Sequence, residues 1–413
     1  MASQHDTTPS PRLRLRPFAA MRYNAELVGD IGEVTSPPYD MMDRPMIDAL
    51  LNDHPQNIVR LVLPRLVSDP VQSTNPYARA AKLLRRWRRQ RVLLTDAEPA
   101  LYVYEYGDAA LAVCGVVGAL ELRRRDAGVV LPHEDVIPEI VGDRLAMMAA
   151  SRANLEPILL VYDGGGSTND VLVKARERAP LIDVSAQDGT WHRLWAVDDP
   201  ADIRAVRLAL APHQALIADG HHRHASYLQL RRRHRGVGDG EGPWDRGLAM
   251  LIDQSQYPLQ LSAIHRSVSE LSLDEVAAGN VAGFEVGPRE PVEGALPRLP
   301  SGPGEMVVAT DSAMVSVRRS APRNPAVSDV ELLHGPLLHA WSVSEDRLGY
   351  HHTVQQTIRC AHQDAGVAVL MHPSSVTEVM QVARAGKLMP RKSTSFGPKP
   401  RTGVVMRSLD DEV

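Results

Sequence analysis

The chain has 413 residues, of which 44% are apolar and 23% are charged, and this globular composition excludes a disordered protein. Its formal charge of −4 excludes a general electrostatic attraction to nucleic acid or to an anionic membrane. The two cysteines, Cys114 and Cys360, lack any metal-binding spacing, which argues against a disulfide framework and a zinc knuckle. The first ten residues are polar and lack the apolar core of an export signal, so we predict a cytoplasmic protein.

Short strands and helices alternate through the first half of the chain. We expect residues 1–11 to form a flexible tail. The apolar run 109–120 is too short to cross a membrane and predicts a buried strand, which pairs with 101–106 across a turn at Gly107-Asp108. The other predicted elements are helices at 44–52, 77–87, 143–152, 170–179 and 201–210, and strands at 58–63, 158–162 and 191–197.

The second half begins with an apolar strand, 215–218, which runs directly into Asp219-Gly220-His221-His222-Arg223 and then into a helical pattern. Glycine and aspartate are frequent in 236–243, which predicts a domain boundary there. We therefore expect an α/β (α+β) fold of mixed sheets with surrounding helices. It comprises an N-terminal α/β domain over 12–236 and a C-terminal α/β domain over 244–413 with a basic loop at 387–403. Further strands are predicted at 248–252 and 259–264, and further helices at 328–341 and 374–385.

The strongest candidate site is the turn at 219–223. A strand that ends in a glycine turn and opens a helix presents backbone amides and the positive end of a helix dipole, which together favour an anion. His221 and His222 add donors, and Arg223 has the geometry to grip a phosphate with two parallel hydrogen bonds. Asp219 is then a candidate general base for a hydroxyl group, or a ligand of Mg²⁺. The alternative is that Asp219 only caps the helix and both histidines are surface residues.

Residues 132–135 contain a second polar cluster. His133 and Glu134, with Arg144 downstream, are residue types that bind metals or transfer protons. The alternative is an ordinary polar loop with a salt bridge. An HExxH metal motif is absent because Ile137 and Pro138 follow, and no metal ligand set is assigned.

The basic loop 387–403 is a third candidate. Within it, the segment 389–400 has two lysines, one arginine and three hydroxyl groups that are suited to wrapping phosphate oxygens, but it lacks the spacing and the strand–helix frame of a P-loop. The alternative is a solvated basic tail. We interpret the arginine run at 85–91 likewise as a solvated helix face rather than a nucleic-acid surface. The residues that are predicted to bind phosphate in the loop are Lys392, Ser393, Thr394 and Lys399.

These motifs, in their order and spacing, resemble those of a widespread bacterial and archaeal family of unknown function, over nearly the whole chain. The chain departs from the family where His224-Ala225 follow the core, since Tyr-Glu is frequent there. The matching motifs are Arg16-Pro17-Phe18, Arg22-Tyr23, Pro37-Pro38-Tyr39-Asp40, Asn57, Tyr102-Val103-Tyr104, Pro132-His133-Glu134, Asp143-Arg144, Ile217 to Arg223, His265-Arg266, Gly386, Met389-Pro390, Lys392-Ser393-Thr394, Phe396, Pro398-Lys399 and Thr402-Gly403.

The core at 219–223 is also similar to that of the ParB/sulfiredoxin-like superfamily, which includes free-serine kinases. This resemblance implies a nucleotide-binding core in which Gly220, His221, His222 and Arg223 cradle phosphates. It places Asp219 beside the acceptor hydroxyl or a metal, and Glu134 is the candidate for a second catalytic acid. By the same resemblance His221 and His222 are catalytic candidates, and His133, Arg144 and Tyr39 are candidates for substrate binding.

The resemblance implies a phosphotransferase that acts on a small hydroxyl compound, with free L-serine as the named candidate. It also implies a nucleotide (ATP or ADP) and Mg²⁺ as cofactors, and a small-molecule substrate as partner. Two other functions remain open: a nucleotide-dependent switch of the ParB type, and a hydrolase of phosphate esters or nucleotides. The near-neutral charge and the lack of a helix-turn-helix pattern argue against a DNA partner.

Overall fold

The computed structural model describes residues 12–67, 75–238, 240–279, 281–320 and 327–411, and the predicted tail 1–11 lies outside them. The chain forms two compact units. The first unit comprises residues 1–131, 136–259 and 398–413, and the second comprises 132–135 and 260–397. The predicted boundary at 236–243 differs from this division, because that segment joins a helix to a strand inside the first unit. Glycine-rich composition marks a turn whether or not a domain ends there.

The described residues confirm a mixed α/β fold, with both parallel and antiparallel strand pairs. The strands are β1 (Leu15–Arg16), β2 (Ala20–Tyr23), β3 (Leu93–Thr95), β4 (Leu101–Gly107), β5 (Ala112–Glu121), β6 (Val130–Leu131), β7 (Ala153–Asn154), β8 (Ile158–Tyr162), β9 (Ile182–Ser185), β10 (Trp191–Val197), β11 (Ala215–Asp219), β12 (Arg246–Asp253), β13 (Gln260–Ser262), β14 (His265–Val268), β15 (Phe284–Val286), β16 (Glu290–Pro291), β17 (Glu305–Ala309), β18 (Ala313–Arg319), β19 (Leu348–His351), β20 (Val367–Met371), β21 (Ser395–Gly397) and β22 (Met406–Ser408).

Helices surround the sheets, and none of the described helices combines the length and the apolar character needed to cross a membrane. The helices are α1 (Ala25–Val28), α2 (Ile31–Val34), α3 (Arg44–Asp53), α4 (Val59–Val62), α5 (Pro76–Arg89), α6 (Pro138–Ser151), α7 (Asn169–Arg176), α8 (Pro200–Leu210), α9 (His221–Gly236), α10 (Leu273–Ala278), α11 (Asp329–Leu332), α12 (Leu338–Ala340), α13 (Val354–Gln363) and α14 (Val376–Arg384).

The first unit is built on a nine-stranded sheet with the order β6-β11-β8-β12-β5-β4-β10-β9, in which β1 also pairs with β5. The predicted pairing of 101–106 with 109–120 is confirmed, since β4 and β5 are antiparallel neighbours. Strand β12 runs parallel to β8, whereas β11 runs antiparallel to it. The end of β11 therefore lies beside the beginning of β8.

The predicted strand at 58–63 is wrong, because the structure forms the short helix α4 there. Its first amide, Val59 N, donates to the side chain of Asn57, which fixes the helical start. A short, mostly apolar run is compatible with either a strand or a helix, because it is too short for its periodicity to separate them. Sequence pattern alone therefore did not distinguish the two.

The second unit is built on a seven-stranded antiparallel sheet with the order β15-β18-β17-β20-β14-β19, in which β16 also pairs with β18. Met306 and Val308 of β17 pack against the core formed with α10, α11 and α12. The alternate residues, Val307 and Ala309, pack on the opposite face beneath α13. Successive side chains of a strand point to opposite faces of the sheet. Since both faces of this sheet are buried, every residue of β17 that faces a core has to be apolar. The predicted helix 328–341 is interrupted by a π-helical turn at Leu333–Leu337, which contains Pro336.

Acid should weaken this unit through Glu305. Burial alone raises the pKa of Glu305, but hydrogen bonds from Ser301, Arg298 and Arg318 outweigh burial and lower it to about 2. As the pH falls, the Glu305 carboxylate therefore binds a proton in the unfolded chain before it does so in the folded one. The stabilisation that the ionised carboxylate gives the folded unit is lost as the pH falls from about 4.5 toward 2. Urea titrations at several pH values measure how much free energy of unfolding is lost in acid. We expect this loss to be smaller by about 1–2 kcal/mol in Glu305→Gln, a value that allows for solvent screening of the partly exposed arginines. Glu285→Gln, which alters an exposed carboxylate, should keep the wild-type pH slope, and equal slopes in all three proteins would contradict this role.

Candidate functional site

A glycine makes the turn between β11 and α9. The strand is buried and ends at Asp219, and its register with β8 shifts between Ile217 and Asp219. Such a bulge redirects the side chain that follows it. Gly220 then adopts a φ of +94°, and a Cβ atom there would lie 2.9 Å from Ile158 Cγ2 and 3.1 Å from Arg223 Nε. Positive φ and the close contact both restrict this position to glycine.

Helix α9 begins after Gly220, an N-cap residue that has no side chain with which to cap the helix. Its first helical hydrogen bond runs from His224 N to Gly220 O at 2.9 Å. The amides of His221, His222 and Arg223 therefore have no acceptor within the helix. This arrangement and the helix dipole favour an anion beside the predicted turn.

The Arg223 side chain is turned toward the protein interior and is only 3% exposed. Its Nη2 donates to Asp219 Oδ2 and its Nη1 donates to Pro157 O. Glu156 Oε2 lies 3.5 Å from the same guanidinium. Arg223 was predicted to bind phosphate, but its guanidinium is instead bound to two carboxylates and a carbonyl. A guanidinium held in this way is not presented to a ligand. Arg223 instead fixes the orientation of the Asp219 carboxylate.

Lys399 binds the other oxygen of Asp219. Its Nζ lies 2.6 Å from Asp219 Oδ1 and 3.1 Å from Asp40 Oδ2, and its side chain is 10% exposed. Burial alone lowers the pKa of Lys399, but the two carboxylates outweigh burial and raise it above its ordinary value. Lys399 is therefore an ammonium ion at neutral pH, next to the start of α9.

Hydrogen bonds fix the segment 398–402 within the first unit. Tyr106 Oη donates to Pro398 O at 3.0 Å, and the amide of Arg401 donates to Tyr104 Oη at 3.1 Å. Thr402 Oγ1 donates to Glu156 Oε2 at 2.9 Å. The predicted basic loop is thus divided, with residues up to Gly397 in the second unit and Lys399 in the first.

Two predicted substrate-binding residues lie in the same unit as Asp219. The Arg144 guanidinium lies 4.6 Å from the centre of the Tyr39 ring, and its Nη1 donates to Val62 O at 2.7 Å. Burial raises the pKa of the Tyr39 phenol, although Arg223 and Arg144 oppose this effect. The charges that act on Tyr39 show that it lies near Arg223 and Glu156; its contact with substrate stays a prediction.

The histidines at the start of α9 have different surroundings. His222 Nε2 accepts a hydrogen bond of 3.0 Å from Ile137 N at the beginning of α6, whereas His221 is partly exposed. His224, which departs from the family pattern, is buried and its Nε2 has no hydrogen-bond partner. Burial lowers the pKa of His224 to about 4, so its ring is neutral at pH 7. The catalytic roles of His221 and His222 stay predictions.

The remaining predicted residues belong to the second unit. Glu134 Oε1 accepts hydrogen bonds from Ser393 N at 3.0 Å, Thr394 N at 2.9 Å and Thr394 Oγ1 at 2.9 Å. His133 Nε2 lies 2.7 Å from the same hydroxyl. The predicted site is therefore divided, with Glu134 in one unit and Asp219 in the other.

The described side chains do not form a complete ligand set for a magnesium ion, which proteins usually bind through one or two carboxylates together with substrate phosphates. Within the described ranges, no group of three or more His, Cys, Asp or Glu side chains is arranged around a common point. The two oxygens of Asp219 bind Arg223 and Lys399 rather than converging with other carboxylates.

Comparison with known proteins supports the predicted membership of a family of unknown function. The model of the family "Protein of unknown function (DUF1015)" matches residues 15–337. The chain belongs to this family. No curated protein sequence matches this family member.

Solved structures show weak similarity, each with a TM-score of 0.37. A free serine kinase in complex with AMP is 14% identical, and the match covers 68% of this chain and 87% of that one. A conserved hypothetical protein from Pyrococcus furiosus is 14% identical, with 72% and 97% covered. A C-terminally truncated SbnI from Staphylococcus aureus is 12% identical, with 69% and 84% covered. These similarities are too weak to carry a functional conclusion.

Sequence reasoning missed two carboxylates of the site. Asp40 was noticed only as part of the Pro37-Pro38-Tyr39-Asp40 motif, and Glu156 belongs to no motif at all. Glu156 and Pro157 immediately precede β8, so the antiparallel pairing of β8 with β11 brings them to Arg223. The signal for Glu156 lies in strand pairing, which a local pattern does not contain.

Replacing Gly220 should disturb the turn specifically. We expect Gly220→Ala to lower the free energy of unfolding by about 1–3 kcal/mol, because its φ is positive and its new methyl group would meet Ile158 and Arg223. Gly236→Ala is the matched control, since it lies in the same helix and nothing occupies the space around its Cβ. That variant should be neutral or stabilised by up to about 1 kcal/mol. Equal urea denaturation curves for both variants would contradict the assigned strain.

Proposed function

We propose that the chain is a phosphotransferase that acts on a hydroxyl group of a small compound and takes the phosphoryl group from a nucleotide. The observation that carries this proposal is the divided pairing of Asp219. One carboxylate oxygen binds a buried arginine and the other binds Lys399, directly before helix α9, whose N-cap residue is Gly220. Phosphoryl transfer needs an anion cradle, a cation and an oriented carboxylate, and these groups provide all three.

The cradle is the amino end of α9. The donor phosphates would accept hydrogen bonds from the first-turn amides, as anions commonly do at helix starts. Lys399 would supply the positive charge, since its ammonium group lies 2.6 Å from Asp219 at that end of the helix. A lysine has a long flexible stem and is suited to moving between anions, whereas Arg223 is held by three interior partners.

Exchange of Lys399 couples donor binding to catalysis. When the ammonium group moves from Asp219 Oδ1 to a phosphate oxygen, that carboxylate oxygen becomes available to the acceptor hydroxyl. The hydroxyl oxygen then attacks the terminal phosphorus, the bond from this phosphorus to the leaving phosphate oxygen breaks, and Asp219 accepts the hydroxyl proton. Arg223 and Glu156 act as positioning residues, because they hold Asp219 Oδ2 still during this exchange.

The acceptor and donor are proposed from the resemblance of the core at 219–223 to the ParB/sulfiredoxin-like superfamily. Free L-serine is the first acceptor to test, and ATP and ADP are the first donors. A mixture of purified protein, one donor and a pool of amino acids, with and without Mg²⁺, should yield a phosphorylated amino acid that mass spectrometry detects. Phosphate release without such a product would instead indicate a hydrolase, and nucleotide binding without turnover would indicate a switch.

Two substitutions should show that Asp219 and Lys399 are each needed for turnover. We expect Asp219→Asn to lower kcat by about 100-fold or more, because the variant loses the proton acceptor. Lys399→Met should lower kcat by about 100-fold through loss of charge stabilisation in the transition state. Both variants need unfolding curves that exclude a loss of folded protein.

Lys387→Met is the matched control, since Lys387 is exposed and lies in the second unit. Its kcat should equal that of the wild-type protein. Wild-type turnover in Asp219→Asn would rule out Asp219 as the proton acceptor and overturn the proposal.

A further inference from the structure

One peptide group in the second unit is held between two charged side chains. The carbonyl of Lys392 accepts a hydrogen bond of 2.9 Å from Arg266 Nη2. The amide of the next residue, Ser393, donates to Glu134 Oε1 at 3.0 Å. A cation thus binds the oxygen and an anion binds the N–H of the same peptide group. Charge-assisted hydrogen bonds are stronger than neutral ones, so the two side chains fix the plane of this peptide.

Arg266 has an unusual environment for a charged residue. It is fully buried and forms no ion pair with a carboxylate among the described residues. Its Nη1 donates to Ile264 O, its Nε has no hydrogen-bond partner, and its guanidinium lies 5.4 Å from the centre of the Tyr350 ring. Burial of an unpaired guanidinium is costly. A neutral residue would serve better if Arg266 only filled space.

Lys392 is the residue that the clamped peptide presents. Its backbone φ is +56°, in the left-handed region that residues other than glycine rarely occupy. Its side chain is exposed and makes no ion pair with any described residue. The neighbouring hydroxyls are used internally, because Ser393 Oγ donates to Pro390 O and Thr394 Oγ1 donates to Glu134. The loop therefore offers the Lys392 ammonium, rather than its predicted hydroxyl groups, to a ligand.

We propose that Arg266 and Glu134 are positioning residues that clamp the Lys392–Ser393 peptide and present Lys392 to a phosphate group, which makes this loop an anion-binding site of the second unit. The ligand class is a phosphate, a pyrophosphate or a phosphate ester. The inference rests on the proposed function only for the choice of phosphate as the anion. It gives Glu134 a positioning role in place of the predicted catalytic one, since its Oε1 already binds three donors.

Competitive acylation of lysines measures this site directly. The full-length protein is treated with a limiting amine-reactive acetylating reagent, with and without pyrophosphate, and the acetylation rate of each lysine is read by tandem mass spectrometry. Pyrophosphate at about ten times its Kd should slow the acetylation of Lys392 about tenfold. Lys387 and Lys82, which are also exposed, should react at unchanged rates and serve as internal controls.

Variants of the clamp test the positioning role. In Glu134→Gln and Arg266→Met the ammonium group of Lys392 is still present, but we expect its protection by pyrophosphate to fall below about twofold, because the charge-assisted hydrogen bonds are lost. Thermal unfolding identifies a variant that fails to fold. If Arg266→Met does so, Glu134→Gln, which keeps the shape of the side chain, carries the test.

The outcomes separate this inference from the proposed function. Protection of Lys392 that disappears in Glu134→Gln supports the clamp, whether or not the protein transfers phosphate. Lys392 acetylation that pyrophosphate leaves unchanged would overturn the inference, as would full protection in both variants. Phosphotransfer with an unprotected Lys392 would support the function and reject the clamp.

Discussion

The divided pairing of the Asp219 carboxylate is the interaction on which the proposed site depends. One oxygen is bound by Arg223, whose guanidinium is enclosed by Glu156 and Pro157, and the other is bound by Lys399. The two cations differ in what they allow. A buried arginine with three partners holds the carboxylate in place, whereas we propose that Lys399, which Asp219 and Asp40 bind, exchanges Asp219 for a phosphate. This asymmetry gives Asp219 a fixed orientation and one oxygen that a ligand is able to free.

The sheet topology explains how distant segments reach this carboxylate. Strand β11 lies next to β8 and runs antiparallel to it, so Asp219 at the end of one strand meets Glu156 and Pro157 before the other. Thr402, anchored to Glu156, and Lys399 approach from the last part of the chain. Asp40 also binds Lys399, so four stretches of sequence contribute charged side chains to this cluster, and none of them forms the site alone.

Much of the local structure could be predicted from the sequence. The hairpin of β4 and β5, the strand that leads into Asp219 and the helix after Gly220 follow from alternation, turn residues and helical periodicity. The identity of the ion-pair partners could not be predicted in this way. The motif places Arg223 beside the turn, but only the pairing of β8 with β11 supplies the carboxylates that draw its guanidinium inward. The helix at 59–62 could not be predicted either, since four residues are too few for a periodicity that separates a helix from a strand.

A structure with a non-hydrolysable ATP analogue tests the central claim most directly, because it locates both the donor phosphates and the Lys399 ammonium. We predict phosphate oxygens within hydrogen-bond distance of the amides of His221, His222 and Arg223. We also predict that Lys399 Nζ has moved from Asp219 Oδ1 to a phosphate oxygen, while Arg223 remains on Asp219 Oδ2. Phosphates bound elsewhere, with Lys399 still paired to Asp219, would contradict the account.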